Sequence, residues 1–139
     1  MAAIKLEGWL PAELAAFKPP EKLSCSEWAE AERILDAKYA AAPGPINIDY
    51  TAYIREPLDA FRIRSLRKLT IVSSRQVAKS TTIENLIGYV MRQDPGPSQL
   101  VGPSENDTKY MLERIRAMIE SSPALASEKT TNKHDFNKD

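Results

Sequence analysis

Lys68-Leu69-Thr70-Ile71-Val72-Ser73-Ser74-Arg75-Gln76-Val77-Ala78-Lys79-Ser80-Thr81 is the stretch on which the fold turns. Its first five residues are rich in β-branched side chains, which predicts a strand. From Ser73 to Lys79 the pattern becomes polar and predicts a loop. A helix is expected over residues 80–91, where Ile83, Leu86, Ile87, Val90 and Met91 recur at spacings of three and four. Asp94-Pro95-Gly96-Pro97 reads as a turn. Gln99-Leu100-Val101 then reads as a second short strand. Ser104-Glu105-Asn106-Asp107 opens another helix with an acid in its first turn, and Met111, Leu112, Ile115, Met118 and Ile119 form its apolar stripe. Pro123 lies just past its end. Strand, helix, strand, helix predicts a βαβα unit built on a parallel sheet.

Working back toward the start, Ser24-Cys25-Ser26-Glu27 has the capping-box pattern, with an acid three residues after a serine. Trp28, Ala31, Leu35, Tyr39 and Ala42 share one helical face behind it, and Pro43-Gly44-Pro45 ends that helix. A short helix is expected over residues 53–60, capped by Asp49 or Thr51 and disturbed by Pro57. Residues 1–24 hold Pro11, Pro19 and Pro20 and read as a loosely packed arm. Residues 128–139 are polar apart from Phe136 and read as a loop or a cut end. The organisation expected is an N-terminal arm and helix over 1–44, a partial α/β domain over 45–126, and a polar tail over 127–139.

The loop carries the chemistry. A P-loop is Gly, any four residues, Gly, Lys, then Ser or Thr, set between a strand and a helix. Lys79 and Ser80 fill its two decisive positions, while Ser73 and Ala78 replace both glycines. A loop wrapped before a helix N-terminus aims backbone N–H groups at phosphate oxygens, and the helix dipole favours the anion. Lys79 would bring a point charge to the β and γ phosphates, and the Ser80 hydroxyl would coordinate Mg²⁺. If Ala78 must be left-handed, its Cβ costs about 1–2 kcal/mol. The plainer reading of Lys79-Ser80-Thr81 is a polar helix start after a strand.

The surroundings of that loop extend the comparison. Ser74-Arg75-Gln76 followed by Lys79-Ser80-Thr81 resembles the P-loop of phage large terminases, where Ser-Arg-Gln leads into Gly-Lys-Ser/Thr. Tyr53-Ile54-Arg55-Glu56-Pro57-Leu58-Asp59-Ala60 is similar to the segment before that loop in the lambda-like, GpA-type family. Asp94-Pro95-Gly96-Pro97, Gly102-Pro103 and Ser121-Ser122-Pro123-Ala124-Leu125 sit where the family has similar stretches, so residues 45–126 carry the resemblance.

The resemblance implies a P-loop NTPase-like parallel sheet, with the first βαβα portion present behind an N-terminal helical segment. It implies ATP and Mg²⁺ as ligands, held by Ser74, Gln76, Val77, Ala78, Lys79, Ser80 and Thr81. Arg75 matches a proposed internal arginine finger, which would stabilise charge during γ-phosphate transfer; its plainer reading is a solvated or nucleotide-sensing arginine. Tyr53 would stack on adenine, against the alternative of a core aromatic. In full length such a protein packages double-stranded DNA into procapsids and cuts concatemers in the host cytoplasm, with the small terminase subunit and the portal as partners. A helicase-like ATPase fragment, a prophage remnant and a non-catalytic interaction module are the rival readings.

Composition sets the limits. Among 139 residues, Lys plus Arg and Asp plus Glu are each 19, so any DNA contact must come from a local patch rather than the global field. Arg55, Arg62, Arg64, Arg67, Lys68, Arg75 and Lys79 form a run that could serve as one, but a solvated face is the favoured reading of it. One cysteine, Cys25, excludes an internal disulfide framework and a multi-cysteine zinc site. No apolar run approaches the roughly 20 residues that cross a bilayer. No apolar strand ending in Asp-Glu follows Lys79, no nuclease carboxylate cluster is visible, and His134, Asp135 and Asp139 lie in the polar tail. The chain is therefore expected to stop short of the second acidic motif that turnover requires.

Overall fold

The computed structural model describes residues 22–63 and 65–127. The expected arm over 1–24 lies almost wholly outside them, as does most of the expected tail. Elements run α1 (Cys25–Glu32), β1 (Ile34–Leu35), β2 (Gly44–Pro45), a 3-10 turn (Ile48–Ile54), α2 (Arg55–Ala60), α3 (Lys79–Gln93), α4 (Glu105–Ser121) and α5 (Pro123–Ala126).

The capping box forms as the sequence predicts. The Glu27 N–H donates to Ser24 Oγ at 3.3 Å, and the Ser24 N–H donates to Glu27 Oε2 at 2.7 Å. The helix behind it is shorter than its periodicity suggests. Arg33 turns to an extended backbone, and Ile34 and Leu35 pair antiparallel with Pro45 and Gly44. Leu35, Tyr39 and Ala42 therefore leave the expected helical face. The next segment also departs from expectation: α2 follows Ile54 with no side-chain cap from Asp49 or Thr51, and Asn47 caps the 3-10 turn before it, accepting from the Asp49 N–H at 2.9 Å. Pro57 falls in the first turn of α2, where its missing N–H would have no helical partner anyway.

Among the described residues the only ladder is the β1–β2 pair. The expected parallel strands at 68–72 and 99–101 do not form one. Residues 68–72 run on without a neighbouring strand, and Val72 is 92% exposed. Physically, β-branched side chains favour an extended chain, but a strand needs a partner for its N–H and C=O groups. Leu69 and Ile71 are also partly exposed, so this run has the make-up of a strand covered on both faces and here is covered only in part.

The core lies between α1, the 3-10 turn, α2, α3, α4 and α5. Trp28, Ile48, Leu58, Met118 and Leu125 have no exposed surface. Trp28 stacks edge-on to Tyr89 with ring centroids 6.3 Å apart, and its indole N–H donates to Glu32 Oε2 at 2.8 Å. Ser26 ties α1 to α2, its N–H and hydroxyl donating to the two Asp59 carboxylate oxygens at 3.0 and 2.8 Å. A Cβ on Gly88 would stand 2.5 Å from Trp28 Cη2, so the indole packs straight onto the α3 backbone.

The most buried charge in this core is Glu84 on α3. Arg33 Nη2 reaches its Oε2 at 3.1 Å, and Arg114 Nε from α4 reaches its Oε1 at 2.5 Å. Side chains of Arg33 and Glu84 are each 3% exposed. Burial pulls the Arg33 guanidinium below its ordinary value, and the Glu84 carboxylate opposes that shift. Arg114 also loses solvation, but hydrogen bonds to Tyr110 and Glu84 leave its guanidinium above its ordinary value.

Two substitutions test this packing. Gly88→Ala gains about 1 kcal/mol of helix propensity but overpacks Trp28 at about 1–3 kcal/mol, so the urea midpoint should fall. A midpoint that rises means the indole moves aside freely. Glu84→Gln leaves two guanidiniums buried without their counter-charge and should cost about 3–5 kcal/mol in the same titration. A loss below 1 kcal/mol would mean that water reaches the cluster.

Candidate functional site

The segment from residue 73 to α3 is built by two left-handed backbones. Gln76 has φ 59° and Ala78 has φ 54°, and Val77 between them is not left-handed. Such alternation turns successive N–H groups toward one side, a concavity suited to anions. The two replaced glycines are therefore unequal. Ser73 is not left-handed and bears no penalty, whereas Ala78 is left-handed and does. Its methyl is partly buried against the core, which offsets part of that cost.

Ala78 is the N-cap of α3 and offers no side-chain cap, and the first turn of α3 has no acid. The contrast with the other helices of eight or more residues is informative. Ser24 caps α1 and Ser104 caps α4, each with an acid in the first turn. An uncapped N-terminus without a nearby carboxylate keeps its partial positive charge for an external anion.

Lys79 is exposed, and its ammonium folds back over the loop. Nζ donates to the Ser73 carbonyl at 3.1 Å and to the Ser74 carbonyl at 3.0 Å. The ammonium thus spans the mouth of the loop from which α3 departs. Ser80 and Thr81 are half-buried in the first turn, and Arg75 and Gln76 are exposed at the loop's turn.

A cleft of about 360 Å³ opens beside this loop. Tyr53, Ile54 and Pro57 line one part, residues 69–73 another, and Val77, Lys79 and Thr82 belong to the loop and α3. Tyr53 is 58% exposed and so is not a core aromatic. Of the residues expected at the site, the cleft gathers Tyr53, Val77 and Lys79. Ser74, Arg75, Gln76, Ala78, Ser80 and Thr81 surround Lys79 in sequence but do not line this cleft. Pro57, one helical turn beyond Tyr53, and Thr82, three residues beyond Lys79, were missed. Helical spacing from a residue already suspected was the signal that would have found both.

The basic run is partly neutralised. Arg55 Nη2 holds Glu30 and Asp49 at 3.0 Å each, so that guanidinium is committed to the fold. Arg62, Arg67 and Lys68 are exposed, and Arg64, His134, Asp135 and Asp139 lie outside the described residues. Cys25 is fully buried, and burial followed by the Asp59 charge pushes its thiol from 9.0 up to about 12. It is a packing residue and not a nucleophile. No described helix is long and apolar enough to cross a membrane.

Comparison with known protein families matches residues 40–139 to one described as phage terminase large subunit gpA, ATPase domain. The chain belongs to this terminase family. No curated protein and no solved structure matches it. The match takes in the loop, the cleft and α2 to α5, so the site described above lies wholly inside the terminase ATPase-domain region.

The left-handed backbone at Ala78 has a direct test. β-Branched residues are poorly accommodated there, whereas glycine is free to adopt it. Ala78→Val should be less stable than Ala78→Gly by about 1–3 kcal/mol in urea denaturation. Equal stabilities would show that residue 78 is not left-handed in solution.

Proposed function

We propose that this chain carries the nucleotide-gripping loop of a phage DNA-packaging ATPase and binds ATP with Mg²⁺ in the cleft between Tyr53 and Lys79. The observation that carries this reading is the hand of Ala78. A residue with a Cβ is left-handed where the P-loop pattern has its second glycine, and the next residue is an ammonium placed across the loop mouth. A bland polar helix start has no reason to hold that conformation at a cost of about 1–2 kcal/mol.

The residues present suit the ligand. Loop N–H groups and the uncapped start of α3 would receive phosphate oxygens, and Lys79 would exchange its two carbonyl acceptors for anionic ones. Ser80 is the residue that would hold Mg²⁺, with Ser74, Gln76, Val77 and Thr81 completing the cradle. Tyr53, exposed beside Lys79, would stack on the base. Arg75, exposed at the loop's turn, would place its guanidinium on the γ-phosphate during transfer.

In this reading the P-loop NTPase fold is completed by strands beside residues 68–72. The motor acts on double-stranded DNA in the host cytoplasm, together with the small terminase subunit and the portal. Within these 139 residues no apolar strand ending in Asp-Glu follows Lys79, so the chain on its own binds nucleotide without turnover.

Titration with a fluorescent ATP analogue in the presence of Mg²⁺ tests the reading. Lys79→Ala should weaken binding at least tenfold, about 1.4 kcal/mol or more. Tyr53→Ala should weaken ATP while leaving inorganic triphosphate unchanged, because only the base is lost. No Mg²⁺-dependent affinity in the wild-type chain would favour the interaction-module reading instead. A steady ATPase rate abolished by Lys79→Ala would overturn the expectation of binding without turnover.

A further inference from the structure

Ala78 occupies a backbone conformation that its own side chain disfavours, so something outside it must hold it there. Its carbonyl oxygen accepts two hydrogen bonds from one residue: the Thr82 N–H at 2.8 Å and the Thr82 hydroxyl at 3.0 Å. The first is the ordinary helical bond. The second is additional, and it is made by a side chain only 2% exposed at the edge of the cleft. A hydroxyl fixed to that carbonyl restrains the ψ of Ala78, and with it the direction in which the loop enters α3.

We infer that Thr82 is a positioning residue for the phosphate-gripping loop, locking Ala78 left-handed and thereby doing for this chain what a glycine does elsewhere. Its hydroxyl acts through Ala78 and not on the ligand. The functional consequence rests on the nucleotide-binding reading above, but the conformational one does not.

The fold supplies its own control. Thr108 stands at the same position of α4 and donates to the Ser104 carbonyl at 2.9 Å. Ser104, however, has an extended backbone, φ −144° and ψ 163°, and caps its helix with its own hydroxyl, which accepts from the Asp107 N–H. The same threonine bond therefore spans a strained N-cap in α3 and a relaxed one in α4. Only the first has a conformation to defend.

Five variants separate these roles: Thr82→Val, Thr82→Ser, Thr108→Val, Ala78→Gly, and Thr82→Val combined with Ala78→Gly. The first readout needs no nucleotide. The ¹³Cα and ¹³Cβ shifts of Ala78 report its backbone hand. They should stay in place in Thr82→Ser and Thr108→Val and move away from left-handed values in Thr82→Val. Unmoved shifts in Thr82→Val overturn the inference, whatever the loop binds.

The second readout is Mg²⁺-dependent affinity for the fluorescent ATP analogue. Thr82→Val should weaken it by about three- to tenfold, Thr82→Ser should restore it, and Thr108→Val should leave it unchanged. In the Ala78→Gly background the loss should disappear, because glycine needs no lock. An equal loss in both backgrounds would mean that the hydroxyl meets the ligand directly, which also overturns the inference. A wild-type chain that binds no nucleotide removes the proposed function, and the shifts of Ala78 then decide this inference alone.

Discussion

Glu84 is the fixed point of this structure. A carboxylate 3% exposed needs partners in a protein interior, and two guanidiniums supply them. They come from opposite sides in sequence, Arg33 just after α1 and Arg114 within α4. Three segments that share no local contact are thereby brought to one point. The pairs are not a large net source of stability, because desolvating three charges consumes most of the Coulomb gain. Their effect is specificity: any slip of α3 by one residue would move Glu84 by roughly 100° around the helix and bury two unanswered cations. That constraint sets the rotation of α3, and the rotation of α3 sets where Lys79 and Thr82 stand.

The same constraint explains which parts of the fold could be read in advance. Local signals were read correctly where their cause is local. Ser24 and Glu27 make a capping box within four residues, and Ser104 caps α4 through the Asp107 N–H. Readings failed where a distant partner decides. Leu35, Tyr39 and Ala42 continue a helical pattern, yet the chain leaves the helix at Arg33, whose guanidinium is drawn to Glu84 fifty-one residues on. Periodicity carries no information about such a partner. The face of α3 was read only in part for the same reason: Leu86, Ile87 and Met91 do pack against the core. Its apolar stripe includes Ile83, which is 39% exposed, while Thr82, Glu84, Asn85, Gly88 and Tyr89 are the buried positions. A polar residue reads as surface unless its counter-charge is known.

The extended segment 68–72 is a third kind of case. Its composition favours an extended chain and the chain there carries no helix, but composition cannot provide a neighbour. With Leu69 and Ile71 about 40% exposed and Val72 almost wholly so, its side chains ask for cover on two faces. Ile83 on α3, 39% exposed, asks for the same.

For the proposed site, spacing singles out candidate groups but not their state. Lys79 and Ser80 follow from spacing, and so does the suspicion about Ala78. Which replaced glycine matters does not, because the motif carries no information on the φ of either position. With α3 packed against α1 and α4, the chain from residue 73 turns through Gln76 and Ala78 to reach its first turn, and the Thr82 hydroxyl meets the Ala78 carbonyl there. Lys79 is then close enough to the Ser73 and Ser74 carbonyls to bond both. Those bonds are exposed and to neutral acceptors, so each contributes less than the roughly 1.5–3 kcal/mol of a shielded charged hydrogen bond. An ammonium held this weakly keeps the loop shut on itself and would still prefer an anion. The strain at Ala78 and the shallow hold on Lys79 thus meet at one place, the start of a helix placed by its buried side.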